Sequence, residues 1–163
     1  MSTTPYKVIF VCLGNICRSP AAENIFRHLV TQAGLQDAIE IDSAGTIDWH
    51  TGKGPDSRMC QTLRKRGIST AGAARHFTAQ DFYDFDLILT MDDSNFQNVV
   101  ALKPKEAHRG KIKRFSTFCK QPEHQIPEVP DPYYGGEEGF EFVADMLEDG
   151  CKQLLETIKE NHL

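Results

Sequence analysis

One stretch, VIFVCLGNICRSPAAENIF at residues 8–26, constrains the fold more than any other part of the chain. Tyr6–Val11 reads as a short buried strand, because Val8 to Val11 are apolar without alternation. Pro20 stands near the first position of a helix. Ala22, Ile25, Phe26, Leu29, Val30 and Ala33 then recur at helical spacing, with Gly34 as the stop. Between the two elements lies a short junction, Cys12 to Ser19. A strand that feeds directly into an amphipathic helix commits the chain to an α/β architecture.

The same alternation continues. Ile39–Ala44, closed by Gly45, reads as a second strand. Asp56 to Arg66 reads as a helix, with Arg64, Lys65 and Arg66 in its last turn and Gly67 as terminator. Thr78 to Asp81 has the pattern of a capping box opening a short helix. Phe85–Thr90 is a third strand, Asp92–Leu102 a helix, and Lys111–Phe115 a fourth strand. Residues 121–136 carry four prolines and a Gly-Gly pair, the composition of an irregular loop. From Glu137 onward, Phe140, Val143, Leu147, Cys151, Leu154 and Ile158 mark one face of a long terminal helix. The expected fold is a single α/β domain over residues 1–163, a four-stranded parallel sheet with helices on both faces.

Charge and cysteine usage narrow the function classes. A net charge of −5 lacks the basic face that general nucleic-acid or anionic-membrane binding needs, so neither partner is expected. No apolar run approaches the ~20 residues of a membrane span. The five cysteines (Cys12, Cys17, Cys60, Cys119, Cys151) contain no Cys-x-x-Cys pair and suit a reducing compartment, the cytoplasm, better than a disulfide scaffold or a metal site. A monomer or a weakly self-associating protein is expected.

Ligands of open parallel sheets bind at the carboxyl ends of strands, where a helix N-terminus offers unpaired N–H groups and the positive end of a dipole. The junction therefore reads as a phosphate-binding loop after the first strand, in which the amides of Leu13, Gly14, Asn15, Ile16 and Cys17 wrap an anion. Gly14 and Asn15 are residue types that tolerate left-handed backbone. Arg18 adds a planar fork that matches two phosphate oxygens. A thiol at such a position, Cys12, is favoured as a thiolate nucleophile. The Gly-Lys-Ser/Thr of a nucleotide-binding loop is absent. Singly, Cys12 reads as an inert packing residue and Arg18 as a surface charge; their combination with Gly14, Asn15 and Ser19 points to chemistry.

The motif Cys12-Leu-Gly-Asn-Ile-Cys-Arg-Ser19 resembles the Cys-x5-Arg-Ser signature of the low-molecular-weight protein tyrosine phosphatases. The resemblance extends through Asp42-Ser-Ala-Gly45, Leu89-Thr-Met-Asp-Asp-Ser-Asn95 and Asp131-Pro-Tyr-Tyr-Gly135, over nearly all of the chain. It implies a metal- and cofactor-free enzyme that hydrolyses phosphotyrosine in proteins or peptides, and other aryl phosphate monoesters. In that scheme Cys12 attacks phosphorus, Arg18 and the loop amides hold the oxygens, and Asp131 acts as general acid and then base. From composition alone Asp131 is only a turn-forming Asp-Pro. The resemblance further implies that Ser19 hydrogen-bonds the Cys12 sulfur and that Asn15 and Ser43 brace the loop; taken alone, Ser19 reads as a helix N-cap. It makes Cys17 a redox partner that protects Cys12 through a reversible disulfide, whereas taken alone Cys17 reads equally as an ordinary loop residue. Trp49, Tyr133 and Tyr134 would form an aromatic rim, with Leu13 and Ile16 as apolar walls. Taken alone, Trp49 reads as core and the tyrosine pair as half-buried loop anchors.

One departure stands out. Gly72 occupies the place where many relatives carry a histidine near the loop support, and His76 is either displaced from it or unrelated. His28, His50, His108, His124 and His162 lack ligand spacing and read as surface residues, and Cys60, Cys119 and Cys151 as packing residues. Three rival functions compete: a thiol-dependent arsenate reductase needs further relay cysteines, absent around Leu87–Asn98, and a phosphate-binding interaction module without turnover would not retain both Cys12 and Asp131. A cysteine-phosphorylated carrier leaves Arg18 together with Asp131 without a purpose.

Overall fold

The computed structural model describes residues 4–132 and 136–163. Four strands, β1 (Tyr6–Cys12), β2 (Ile39–Gly45), β3 (Leu87–Thr90) and β4 (Ile112–Arg114), form one parallel sheet in the order β2-β1-β3-β4. Side chains alternate across β1, so Val8 and Phe10 enter one core and Ile9 and Val11 the other. All four are fully buried, which explains the unbroken apolar run.

The larger core lies under α1 (Arg18–Gln32), α2 (Ser57–Lys65) and the long α6 (Glu137–His162). Phe140, Val143, Leu147, Cys151, Leu154 and Ile158 all face inward, as their spacing predicts. The opposite core gathers Phe77, Phe82, Phe85 and Val99 from around α3 (Asp81–Asp84) and α4 (Asp93–Val100). A short α5 (Glu106–Arg109) precedes β4, and 3-10 turns follow at Phe115–Phe118 and Pro122–His124. Among the described residues no helix is long and apolar enough to cross a membrane.

Several boundaries differ from the sequence reading for local reasons. α1 begins at Arg18, two residues before Pro20, because proline in the first turn forfeits an N–H that has no intrahelical partner anyway. Ala33 caps the helix and is exposed, and Leu29 is only half buried; Gly34 at φ +72° ends the turn as expected. Asp56 caps α2 rather than belonging to it, accepting from the amides of Arg58 (2.8 Å) and Met59 (3.4 Å). Only the acid half of the Thr78–Asp81 box forms, with the Thr78 amide donating to Asp81 (2.9 Å). β3 starts at Leu87 and β4 stops at Arg114, because Phe115 turns into a 3-10 helix that packs on α6.

That last contact requires a glycine. A Cβ at Gly150 would lie 2.3 Å from Cζ of Phe115, which is itself fully buried. Gly150→Ala is expected to cost about 1–3 kcal/mol through overpacking, despite the better helix propensity of alanine. Urea melts check this; a variant as stable as the parent would contradict the packing assignment.

Candidate active site

Cys12 ends β1 at the carboxyl edge of the sheet, and the next five residues form a loop closed by α1. Neighbouring backbone clamps this loop with three hydrogen bonds from two segments. The Thr46 amide donates to Cys12 O (2.9 Å), Ile47 to Leu13 O (3.0 Å) and Asp56 to Ile16 O (2.6 Å). Asn15 takes left-handed backbone, φ +56°. Gly45, paired with Cys12 across β1 and β2, allows this approach: a Cβ there would lie 2.8 Å from Leu13 O.

Behind the loop runs a buried polar chain. Asn15 Nδ2 donates to Ser19 Oγ (2.8 Å) and Ser43 Oγ (3.0 Å), and its Oδ1 accepts from the Arg75 amide (3.0 Å). Ser19 Oγ lies 3.0 Å from Cys12 Sγ. Ser43 Oγ in turn donates to Glu23 Oε1 (2.5 Å), and Glu23 pairs with Arg27 one helical turn on. The structure thus brings Ser19, Asn15 and Ser43 together without any histidine. Gly72 sits at φ +109°, where an L side chain is strained, and a Cβ there would be 4.0 Å from Glu23 Oε2. His76 is elsewhere, exposed, with Nε2 3.1 Å from Thr46 O.

In front of the loop is a cavity of about 270 Å³ lined by Cys12, Leu13, Gly14, Ile16, Cys17, Arg18, Ile47, Trp49, His50 and Asp131. The Arg18 guanidinium is 3% exposed and tied down on one side: Nη1 donates to Asp92 Oδ2 (2.7 Å) and Val129 O (3.0 Å). Nη2 lies 3.7 Å from Asp131 Oδ2, which belongs to the loop following the second 3-10 turn. Burial works against the Arg18 charge, but Cys12, Asp92 and Asp131 outweigh it and raise the pKa further. The Cys17 thiol is pushed well up by burial, by Cys12 and by Asp56 and Asp131. Cys12 and Cys17 are both free thiols, and both are buried.

A scan against family models matches residues 7–163 to the family described as low molecular weight phosphotyrosine protein phosphatase. The chain belongs to that family. A relative named putative low molecular weight protein-tyrosine-phosphatase from Synechocystis is 50% identical over 152 residues, 93% of this chain and 96% of its own. The crystal structure of a protein tyrosine phosphatase from Entamoeba histolytica, with Hepes in its active site, superposes with a TM-score of 0.91 at 40% identity, covering 97% and 99% of the two chains. A structure described as a Drosophila arginine phosphatase gives 0.83 at 37%, covering 94% and 98%.

Trp49, placed on an aromatic rim by the resemblance and in the core by its residue type alone, is 78% exposed and lines the cavity. Tyr133 and Tyr134 lie outside the described residues. His50 is no plain surface residue, since it lines the cavity and packs against Gly14, where a Cβ would be 2.9 Å from its ring. His124 is buried, with Nδ1 2.9 Å from Asp149 Oδ2 and its ring edge-on to Phe142. Cys60, Cys119 and Cys151 are buried as expected, and burial pushes the Cys119 thiol up to about 12.

Sequence reasoning missed Asp92, Glu23 and Ile47. Asp92 had a signal: it forms a reciprocal capping box with Asn95 at the start of α4, which fixes the carboxylate that meets Arg18. Glu23 had another, an acidic residue among the buried positions Ala22, Ile25 and Phe26. Ile47 had none, because only the clamp of its amide on Leu13 brings it to the cavity.

Proposed function

We propose that the chain hydrolyses phosphotyrosine in proteins or peptides through a cysteinyl-phosphate formed on Cys12. One observation carries this reading: Cys12, Arg18 and Asp131 line the same cavity, whose other walls include Leu13, Ile16, Ile47 and Trp49. Apolar walls of this kind favour an aromatic ring over a polar leaving group.

In the first step the Cys12 sulfur forms a bond to phosphorus while the bond to the tyrosine oxygen breaks, and Asp131 delivers its proton to that oxygen. Arg18 and the amides of Leu13 to Cys17 hold the equatorial oxygens. Asp92 and Val129 occupy Nη1 of Arg18, so the guanidinium is held in register before a phosphate arrives. In the second step Asp131 takes a proton from water, which attacks phosphorus and releases the thiolate. Ser19, 3.0 Å from the sulfur, donates to that thiolate as it departs. The positive charge that faces the transferring phosphoryl group comes from Arg18 and the backbone amides, so no metal enters the scheme.

Because the Drosophila structure is described as an arginine phosphatase, substrate class is the point to test. Peptides carrying phosphotyrosine, phosphoserine or phosphoarginine, and a small sugar phosphate, are compared by phosphate release in the presence of a chelator. Phosphotyrosine is expected to lead in kcat/KM by at least about tenfold, the factor set by ~1.4 kcal/mol of pocket discrimination. Faster turnover of phosphoarginine, or loss of activity with chelator, would refute the reading.

A further inference from the structure

Glu23 is 8% exposed, lies outside the cavity, and has no part in the two chemical steps. Its place becomes clear when hydrogens are assigned along the buried chain behind the loop. The Arg75 amide can only donate, so it fixes Oδ1 of Asn15 on its own side and turns Nδ2 toward the two serines. Both Nδ2 protons are then spent, one on Ser19 and one on Ser43. Each serine oxygen accepts from Asn15, so each hydroxyl proton must go elsewhere. For Ser19 the near acceptor is the Cys12 sulfur at 3.0 Å, with Ala44 O farther at 3.4 Å. For Ser43 it is Glu23 Oε1 at 2.5 Å.

We propose that Glu23 is a positioning residue of this phosphatase, which keeps the phosphate loop in its anion-binding conformation by accepting the Ser43 proton, and so keeps Asn15 bonded to Ser19 and Ser19 turned toward Cys12. The inference rests on the reading of Cys12 as nucleophile. Without an acceptor at 23, Ser43, itself 5% exposed, holds a proton with no partner. Among the described residues Glu23 is the one acceptor the structure gives that proton, so its loss leaves the Asn15–Ser43 bond without the group that orients the hydroxyl. Asn15, at φ +56°, then loses one of the side-chain bonds that hold it there. Acceptor capacity, rather than charge, is the property required. Arg27 is half exposed and can swing away from an amide, whereas Ser43 cannot.

The test compares Glu23→Ala, Glu23→Gln, Ser43→Ala and Glu23→Ala/Ser43→Ala with the parent, by kcat and KM on an aryl phosphate and by inhibition with inorganic phosphate, well below each melting temperature. Glu23→Ala is expected to lose about tenfold in kcat and to bind phosphate more weakly, the scale of one unsatisfied buried hydroxyl. Glu23→Gln, which still offers an oxygen to Ser43, should stay within about threefold of the parent, as rescue by a retained acceptor requires. In the Ser43→Ala background, where no proton needs placing, adding Glu23→Ala should change nothing further. A Glu23→Ala enzyme with parental kcat, or losses that multiply in the double variant, would overturn the proposal. Should Glu23→Ala alone not fold, Ser43→Ala against the double variant still tests the coupling: equal kcat supports the proposal and a further loss overturns it. Cys12→Ser is run beside them: its inactivity together with an unaffected Glu23→Ala would sink only this proposal, whereas an active Cys12→Ser would sink the mechanism beneath it.

Discussion

Replacing Cys12 by serine is expected to lower kcat on aryl phosphates by at least about a thousandfold while leaving inorganic phosphate bound. The two halves of that expectation come from different atoms. Turnover needs a sulfur that is a good nucleophile and a good leaving group, and a serine oxygen in its place is neither without a dedicated base. Binding needs the loop amides and Arg18, whose anchors on Asp92 and Val129 do not involve the sulfur. Titration calorimetry with phosphate and a p-nitrophenyl phosphate assay separate the two. If Cys12→Ser retained a tenth of the activity, the covalent route would be wrong. If it neither turned over nor bound phosphate, the loop would have lost its shape and Cys12 would be a structural residue.

The second large effect belongs to Asp131. Asp131→Asn is expected to slow release of phenol, whose pKa is ~10, by about 10²–10³-fold, because a phenolate leaves poorly without a proton. Release of p-nitrophenol, a far better leaving group, should slow by only a few-fold in the first step. The geometry behind this is the 3.7 Å between Asp131 Oδ2 and Arg18 Nη2, which puts the carboxyl beside the proposed phosphate site, and its 40% side-chain exposure, which leaves water access for the proposed second step. A plot of log kcat/KM against leaving-group pKa measures it. The slope should be near zero for the parent and steeply negative for Asp131→Asn. Parallel lines for the two enzymes would remove Asp131 as the acid.

How much of this was legible in the sequence depends on whether a residue's role is set locally. β1, its loop and α1 could be read because burial on both faces of a parallel sheet leaves an unbroken apolar run, and α1 keeps its period. Cys12, Asn15, Arg18 and Ser19 share one junction, so their meeting follows from the turn itself. Asp131 is distant along the chain, and only the family pattern pointed to it; the fold brings it to Arg18 through the packing of the loop after the second 3-10 turn. Glu23, Ile47, His50 and Asp92 reach the site through tertiary clamps, such as the Ile47 amide on Leu13 and the Asp92–Asn95 box, that periodicity does not register. His124 left its expected surface environment for a similar reason: a polar imidazole is usually exposed, but Asp149 gives it a buried partner. Residue type alone would put the Trp49 indole in the core, and only the family pattern pointed to the cavity wall it lines.

The measurement that bears most directly on the whole account is the trapping of the phosphoenzyme. The enzyme is mixed with a fast aryl phosphate, quenched in acid within milliseconds, digested and mapped by mass spectrometry. The mechanism predicts one phosphate per chain at early times, attached through sulfur to Cys12 and absent from Cys12→Ser. A quench that carries no phosphate while product is being released, or one that places it on any other residue, would contradict it.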